Sequence, residues 1–137
     1  MKFTVNTPRP IEIEVSVKDK THVISFYPTD VTVRRKFYET YEDLKAYKPA
    51  DITPTTDEIG VSNIELEEAR ELERYTKFFA ERFDSIFGEG TADIIMDGHT
   101  APLELSRFMA ETAHFFKEAS SQLISEYTAT DESGVME

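Results

Sequence analysis

Residues Ile11, Ile13, Val15 and Val17 are aliphatic, while Glu12, Glu14 and Ser16 between them are polar. This period of two places one apolar and one polar face on a β-strand. The polar Lys18-Asp19-Lys20 and the β-branched and aromatic run from Thr21 to Tyr27 complete a predicted β-hairpin over 11–27, which Pro28 ends. A lone two-stranded hairpin is marginal in water, so its aliphatic face is expected to lie on a helix or to gain a strand from residues 3–5. Beyond it the period lengthens. Thr29 or Asp30 caps a helix of about 30–47 in which Val33, Phe37, Tyr41 and Leu44 form the inward stripe.

Residues 48–61, with two prolines and three threonines among them, carry neither period and read as a connector. A long helix follows. Leu66, Ala69, Leu72, Tyr75, Phe79, Phe83 and Ile86 recur every three or four residues, Ser62 and Glu65 fit a capping box, and Gly88 and Gly90 supply the stop. On its outer face, Lys77 stands four residues from both Glu73 and Glu81. Thr91 is placed to cap a short corner helix closed by Asp97-Gly98. Thr100 and Pro102 then open a last helix with Leu105, Phe108, Met109, Thr112, Phe116, Ala119, Leu123 and Tyr127 in register. The two long helices are expected to pack as an antiparallel hairpin over 62–127. The fold class is therefore α+β, mainly α, in a single domain of 1–127 with a disordered tail at 128–137.

Charge changes this picture more than composition does. The net charge is −12, but residues 1–50 carry nine Lys and Arg against seven Asp and Glu (+2), while 51–137 carry six against twenty (−14). The second half therefore repels phosphate backbones, which disfavours nucleic-acid binding. Cysteine is absent, which excludes disulfides, zinc–thiolate sites and a thiol nucleophile. No apolar run reaches membrane-spanning or signal-peptide length, so a soluble, intracellular protein is expected. Ten phenylalanines and six tyrosines exceed what two helical stripes need. Phe78 and Phe115 adjoin stripe residues, and the surplus either fills a layered core or forms a binding patch. Arg34, Arg35 and Lys36 form a basic cluster that either faces water or meets an acidic surface.

Candidate chemistry is thin. His22 alternates within a strand and His99 lies in a turn. Glu111 and His114 have the E-x-x-H spacing of carboxylate-bridged metal bundles without the second such pair those sites require. Gly88-Glu89-Gly90-Thr91 lacks the lysine and preceding strand of a phosphate loop. No nucleophile elbow or triad order stands in the chain. No catalytic residue, metal site or cofactor is expected.

The hairpin, the helix bearing Arg35-Lys36-Phe37-Tyr38-Glu39, the connector, and the run from Phe78 through Phe-Asp-Ser-Ile-Phe-Gly-Glu-Gly-Thr to Thr91 together resemble the small tail assembly chaperones of long-tailed, siphovirus-type bacteriophages of Gram-positive bacteria. The resemblance spans about 11–127, with the corner at Gly88, Gly90, Thr91 and Gly98 its distinctive part. It implies a non-enzymatic factor that binds the tape-measure protein, assists polymerisation of the tail-tube protein, forms homo-oligomers, and works in the host-cell cytoplasm without entering the mature virion. It would contact neither nucleic acid nor membrane. Phe78, Phe115, Arg34, Arg35 and Lys36 are the candidate protein-interaction residues. The rival readings are an acidic DNA mimic that inhibits a host defence, and a structural tail-completion or connector protein.

Overall fold

The computed structural model describes residues 1–48 and 52–136, with side chains up to residue 122. It is mixed α+β and mainly helical, an N-terminal antiparallel hairpin followed by helices, as the sequence pattern predicts. Strands β1 (Ile11–Val17) and β2 (Lys20–Phe26) precede α1 (Val31–Ala46), α2 (Ile64–Phe87), α3 (Thr91–Met96) and α4 (Pro102–Met136).

The hairpin register pairs Ile11 with Phe26, Ile13 with Ile24 and Val15 with His22. Directly paired residues share a sheet face, so these side chains form one apolar surface with His22 at its edge. Helices cover that surface, and among the described residues no further strand extends it. Phe3 and Val5 remain 83% and 71% exposed, and the sheet among the described residues is two-stranded. Pro8 and Pro10, which donate no backbone hydrogen bond, separate residues 3–5 from β1 and oppose their pairing. At the hairpin tip Lys18 takes a left-handed conformation (φ 55°) and its ammonium lies 3.1 Å from Asp97, beside α3.

Asp30 caps α1, its carboxylate accepting hydrogen bonds from the amides of Thr32 and Val33 at 2.8 and 3.2 Å. The buried positions are Phe37 and Thr40, with Val33 and Leu44 half-buried. Tyr41, predicted to share that stripe, is 52% exposed. Positions 40 and 41 both suit the helical period, and packing selects Thr40, whose hydroxyl is satisfied by donating to the Lys36 carbonyl at 2.7 Å.

The connector departs from expectation. Asn63 uses its side chain to fasten residues 53 and 55 instead of capping α2: Oδ1 accepts from the Thr55 amide (2.6 Å) and Nδ2 donates to the Thr53 carbonyl (3.0 Å). The predicted capping box is half made. Ser62 Oγ accepts from the Ile64 amide at 3.2 Å, and Glu65 stands exposed without the reciprocal bond. Among the described residues, the ion pairs formed within α2 are Glu67 with Arg70 and Glu71 with Arg74, one turn apart, rather than Lys77 with Glu73 or Glu81.

The corner between α2 and α4 is organised by Asp84. One carboxylate oxygen accepts from the amide of Ala92 (2.8 Å) and the hydroxyl of Thr91 (3.2 Å), and the other accepts from the amide of Gly90 (3.1 Å). A single side chain in the last turn of α2 thus caps α3, the role the sequence suggests for Thr91. Thr91 instead also donates to the Gly88 carbonyl at 2.6 Å. Gly88 and Gly90 have φ of 113° and 85°, conformations an L side chain resists. Gly98 (φ 72°) and Asp97 (φ 53°) end α3.

Around this corner Phe79, Phe83, Leu105 and Phe116 are completely buried. Phe26 from β2 meets Phe87 edge-on at 5.1 Å and Phe116 stacked at 5.5 Å, which joins the hairpin to both long helices. Each such ring contributes roughly 1.5–3 kcal/mol through burial. The stripe of α2 is inward only from Tyr75 and Thr76 onward. Upstream, Leu66 and Leu72 are 55% and 50% exposed, and Ala69 is exposed too. The hairpin of long helices therefore packs over the half of α2 nearer the corner. The backbone of α4 is helical to Met136, so residues 128–136 of the tail 128–137, for which the sequence pattern predicts disorder, are helical, and residue 137 lies outside the described residues. Leu123 and Tyr127 of the predicted stripe lie outside the described side chains.

Candidate functional site

Small residues on α4 leave a gap. Ser106, Ala110 and Ala113 recur at helical spacing along one side of α4, too short to reach α1. A cleft of about 600 Å³ results, with α1 and α4 as walls and Tyr75 and Phe79 of α2 as its floor. The α1 wall presents Phe37, Tyr38 and Tyr41, and Met109 stands opposite. Phe37 stacks on Phe116 at 4.1 Å, which joins the two walls. Tyr38 is 42% exposed, so two tyrosine rings with Tyr41 lie open on one wall.

The charged groups at the rim are engaged with their own neighbours. Lys45 lies 3.4 Å from Glu42 and 4.8 Å above the Tyr41 ring. Asp43 pairs with Arg82 of α2 at 2.8 Å. What remains for a ligand is apolar and aromatic surface with phenol hydroxyls at its edge, which suits a hydrophobic side chain or helix face. Burial, with a smaller contribution from neighbouring Tyr47, raises the pKa of the Tyr75 phenol above the ordinary 10.0.

The predicted interaction residues fall in separate places. Phe78 is half-buried, 5.8 Å from the Tyr47 ring and 5.1 Å beneath the Arg82 guanidinium. Phe115 is half-buried edge-on to Phe26 at 6.0 Å. Both are therefore attached to the packed aromatic framework, and neither lines the cleft. The basic triplet is likewise split by the helical turn. Arg35 is paired with Glu39 at 2.7 Å, Lys36 is half-buried, and Arg34 is half-buried with Nη1 enclosed and unpartnered. Gly88, Gly90, Thr91 and Gly98 shape the corner described above. Seven of the ten phenylalanines are buried, so the aromatic surplus is largely core, and the exposed aromatics among the described residues are Phe3, Tyr27, and Tyr38 and Tyr41 on α1.

Glu111 and His114 are exposed on α4, and His114 rests against the Phe115 ring. Among the described residues no group of three or more His, Asp or Glu side chains is placed to hold a metal ion, and no helix is long and apolar enough to cross a membrane. The carboxylates of α2 that would have to form a phosphate-like array are interrupted by the Glu67–Arg70 and Glu71–Arg74 pairs. No family model, curated protein or solved structure matches the chain.

The signal for the cleft was present in the sequence as the small residues at 106, 110 and 113. They fall between the large apolar residues of α4, where the larger stripe draws attention away from them.

Proposed function

We propose that this chain is a tail assembly chaperone of a long-tailed bacteriophage, a non-enzymatic factor that binds the tape-measure protein and assists tail-tube polymerisation. The observation that carries this reading is the open apolar cleft between α1 and α4. Its walls are helices and its floor is a helix, so an incoming amphipathic helix would complete a four-helix cross-section. A long helical client with a repeating apolar face would occupy many such clefts in succession. The acidic surface would keep the coated client dispersed, since like charges on neighbouring complexes repel. The work would take place in the host-cell cytoplasm, and the chaperone would leave before the particle matures.

Co-expression with the tape-measure protein of the same phage, followed by affinity capture and light scattering, tests this. A soluble complex with many chaperone copies per client is expected, and Ala110→Trp, which fills the cleft, should abolish it. Capture of the client at wild-type level by Ala110→Trp would remove the cleft from the mechanism. Failure of the wild-type chain to hold the client in solution would remove the chaperone reading itself. Presence of the chain in purified particles would favour a structural tail component instead.

A further inference from the structure

The segment 52–63 is built rather than slack, and what it displays is apolar. Asp57 Oδ1 accepts from the amides of Ile59 and Val61 at 3.0 and 2.8 Å, and the Asp57 amide donates to the Val61 carbonyl at 2.9 Å. Gly60 makes the turn with φ of 83°, Thr56 and Ser62 form an antiparallel bridge, and Asn63 ties the base of the loop to the start of α2. Despite this network Ile59 is 84% and Val61 56% exposed. A loop that needed only to connect α1 and α2 would gain nothing from holding two aliphatic side chains in water.

The first turns of α2 continue this surface. At about 100° per residue, Glu65, Leu66, Ala69, Leu72 and Glu73 fall within roughly one third of the helix circumference. Leu66 and Leu72 are half exposed. The carboxylates among them are uncommitted: Glu58, Glu65 and Glu73 make no ion pair among the described residues, while Arg70 and Arg74 are engaged by Glu67 and Glu71. None of these residues lines the cleft.

From this juxtaposition we infer that the 52–63 loop and the amino-terminal half of α2 form a second docking surface, whose occupant is a basic amphipathic helix of another protein. Its leucine-class side chains would cover Ile59, Val61, Leu66 and Leu72, and its flanking lysines or arginines would meet Glu58, Glu65 and Glu73. A second copy docking through its own acidic half is a poorer occupant, because residues 51–137 carry a net charge of −14 (six basic against twenty acidic residues) and two such surfaces repel. This assignment stands apart from the cleft reading and does not need it.

Two fluorescent helical peptides with the same leucine positions, one filled with lysine and one with glutamate, provide the test by fluorescence anisotropy on the full chain. The lysine peptide should bind and the glutamate peptide should not. Ile59→Ser combined with Leu66→Ser should weaken binding about tenfold or more, as loss of central apolar anchors does. Glu65→Gln combined with Glu73→Gln should weaken it about threefold and flatten its salt dependence. The cleft-filling Ala110→Trp should leave binding intact. No binding of the lysine peptide, equal binding of both peptides, or full affinity in the Ile59→Ser/Leu66→Ser variant would each overturn the inference. So would a wild-type dimer that this same variant dissociates, since a second copy would then be the occupant. All the exposed substitutions should leave the far-ultraviolet circular dichroism unchanged.

Discussion

The two halves of α2 carry one continuous apolar period and meet opposite fates. From Thr76 to Phe87 the helix is enclosed by α1, α4 and the hairpin, and Phe79 and Phe83 lose all contact with water. From Ile64 to Leu72 the same period faces solvent, with Leu66 and Leu72 half exposed. Amphipathic spacing therefore states which face of a helix is apolar, while the length and placement of neighbouring elements decide where along that face a core exists. In this chain the difference separates residues that hold the fold from residues free to meet a partner.

The sharpest way to break this contrast is to delete one large side chain from each half. Phe83→Ala removes a ring packed against Phe79, Phe87 and Phe108, and should cost about 3–5 kcal/mol in chemical denaturation. Leu72→Ser should stay within about 0.5 kcal/mol of wild type. Similar losses for both would mean that the amino-terminal half is covered after all. The next largest effect belongs to the corner. Asp84→Ala strips acceptors from the amides of Gly90 and Ala92 and should cost about 1–3 kcal/mol, whereas Glu65→Ala at the other end of the helix should cost a few tenths.

Tyr75 lies at the boundary and reports on it by titration. Its folded pKa is raised above 10.0 by burial, so the fold favours the neutral phenol. That stabilisation is complete below the unfolded value and disappears as pH rises through the folded one. Phenolate absorbance should show one tyrosine titrating late, and Tyr75→Phe should remove that component. A small change is also expected at the Asp43–Arg82 pair, partly exposed on both sides, where Asp43→Asn should cost less than about 1 kcal/mol by thermal melting.

Much of the architecture was legible in the residues because it rests on local periodicity. Alternation over Ile11–Val17 and the three- to four-residue spacing of Phe79, Phe83 and Ile86 are properties of short windows. What escaped depends on contacts made in three dimensions. Asp84 caps a helix that begins seven residues later, and no pattern on its own helix marks it for that task. Asn63 stands at the start of α2 and spends its amide on the loop behind it. Tyr41 and Thr40 suit the same stripe, and packing alone chose between them. The cleft was the least visible feature, because it is formed by side chains that are missing bulk.

The joining of Phe26 to Phe87 and Phe116 also sets the order of events during synthesis. The hairpin leaves the ribosome before its ring partners, which lie 61 and 90 residues further along the chain (87 minus 26 and 116 minus 26). At about 5–20 residues per second the aliphatic face of β1 and β2 waits for several seconds without a core. The Asp84 corner spans only six to eight residues and can close within about a microsecond of its emergence. The corner, made later, thus assembles on itself, and the earlier-made hairpin docks onto it.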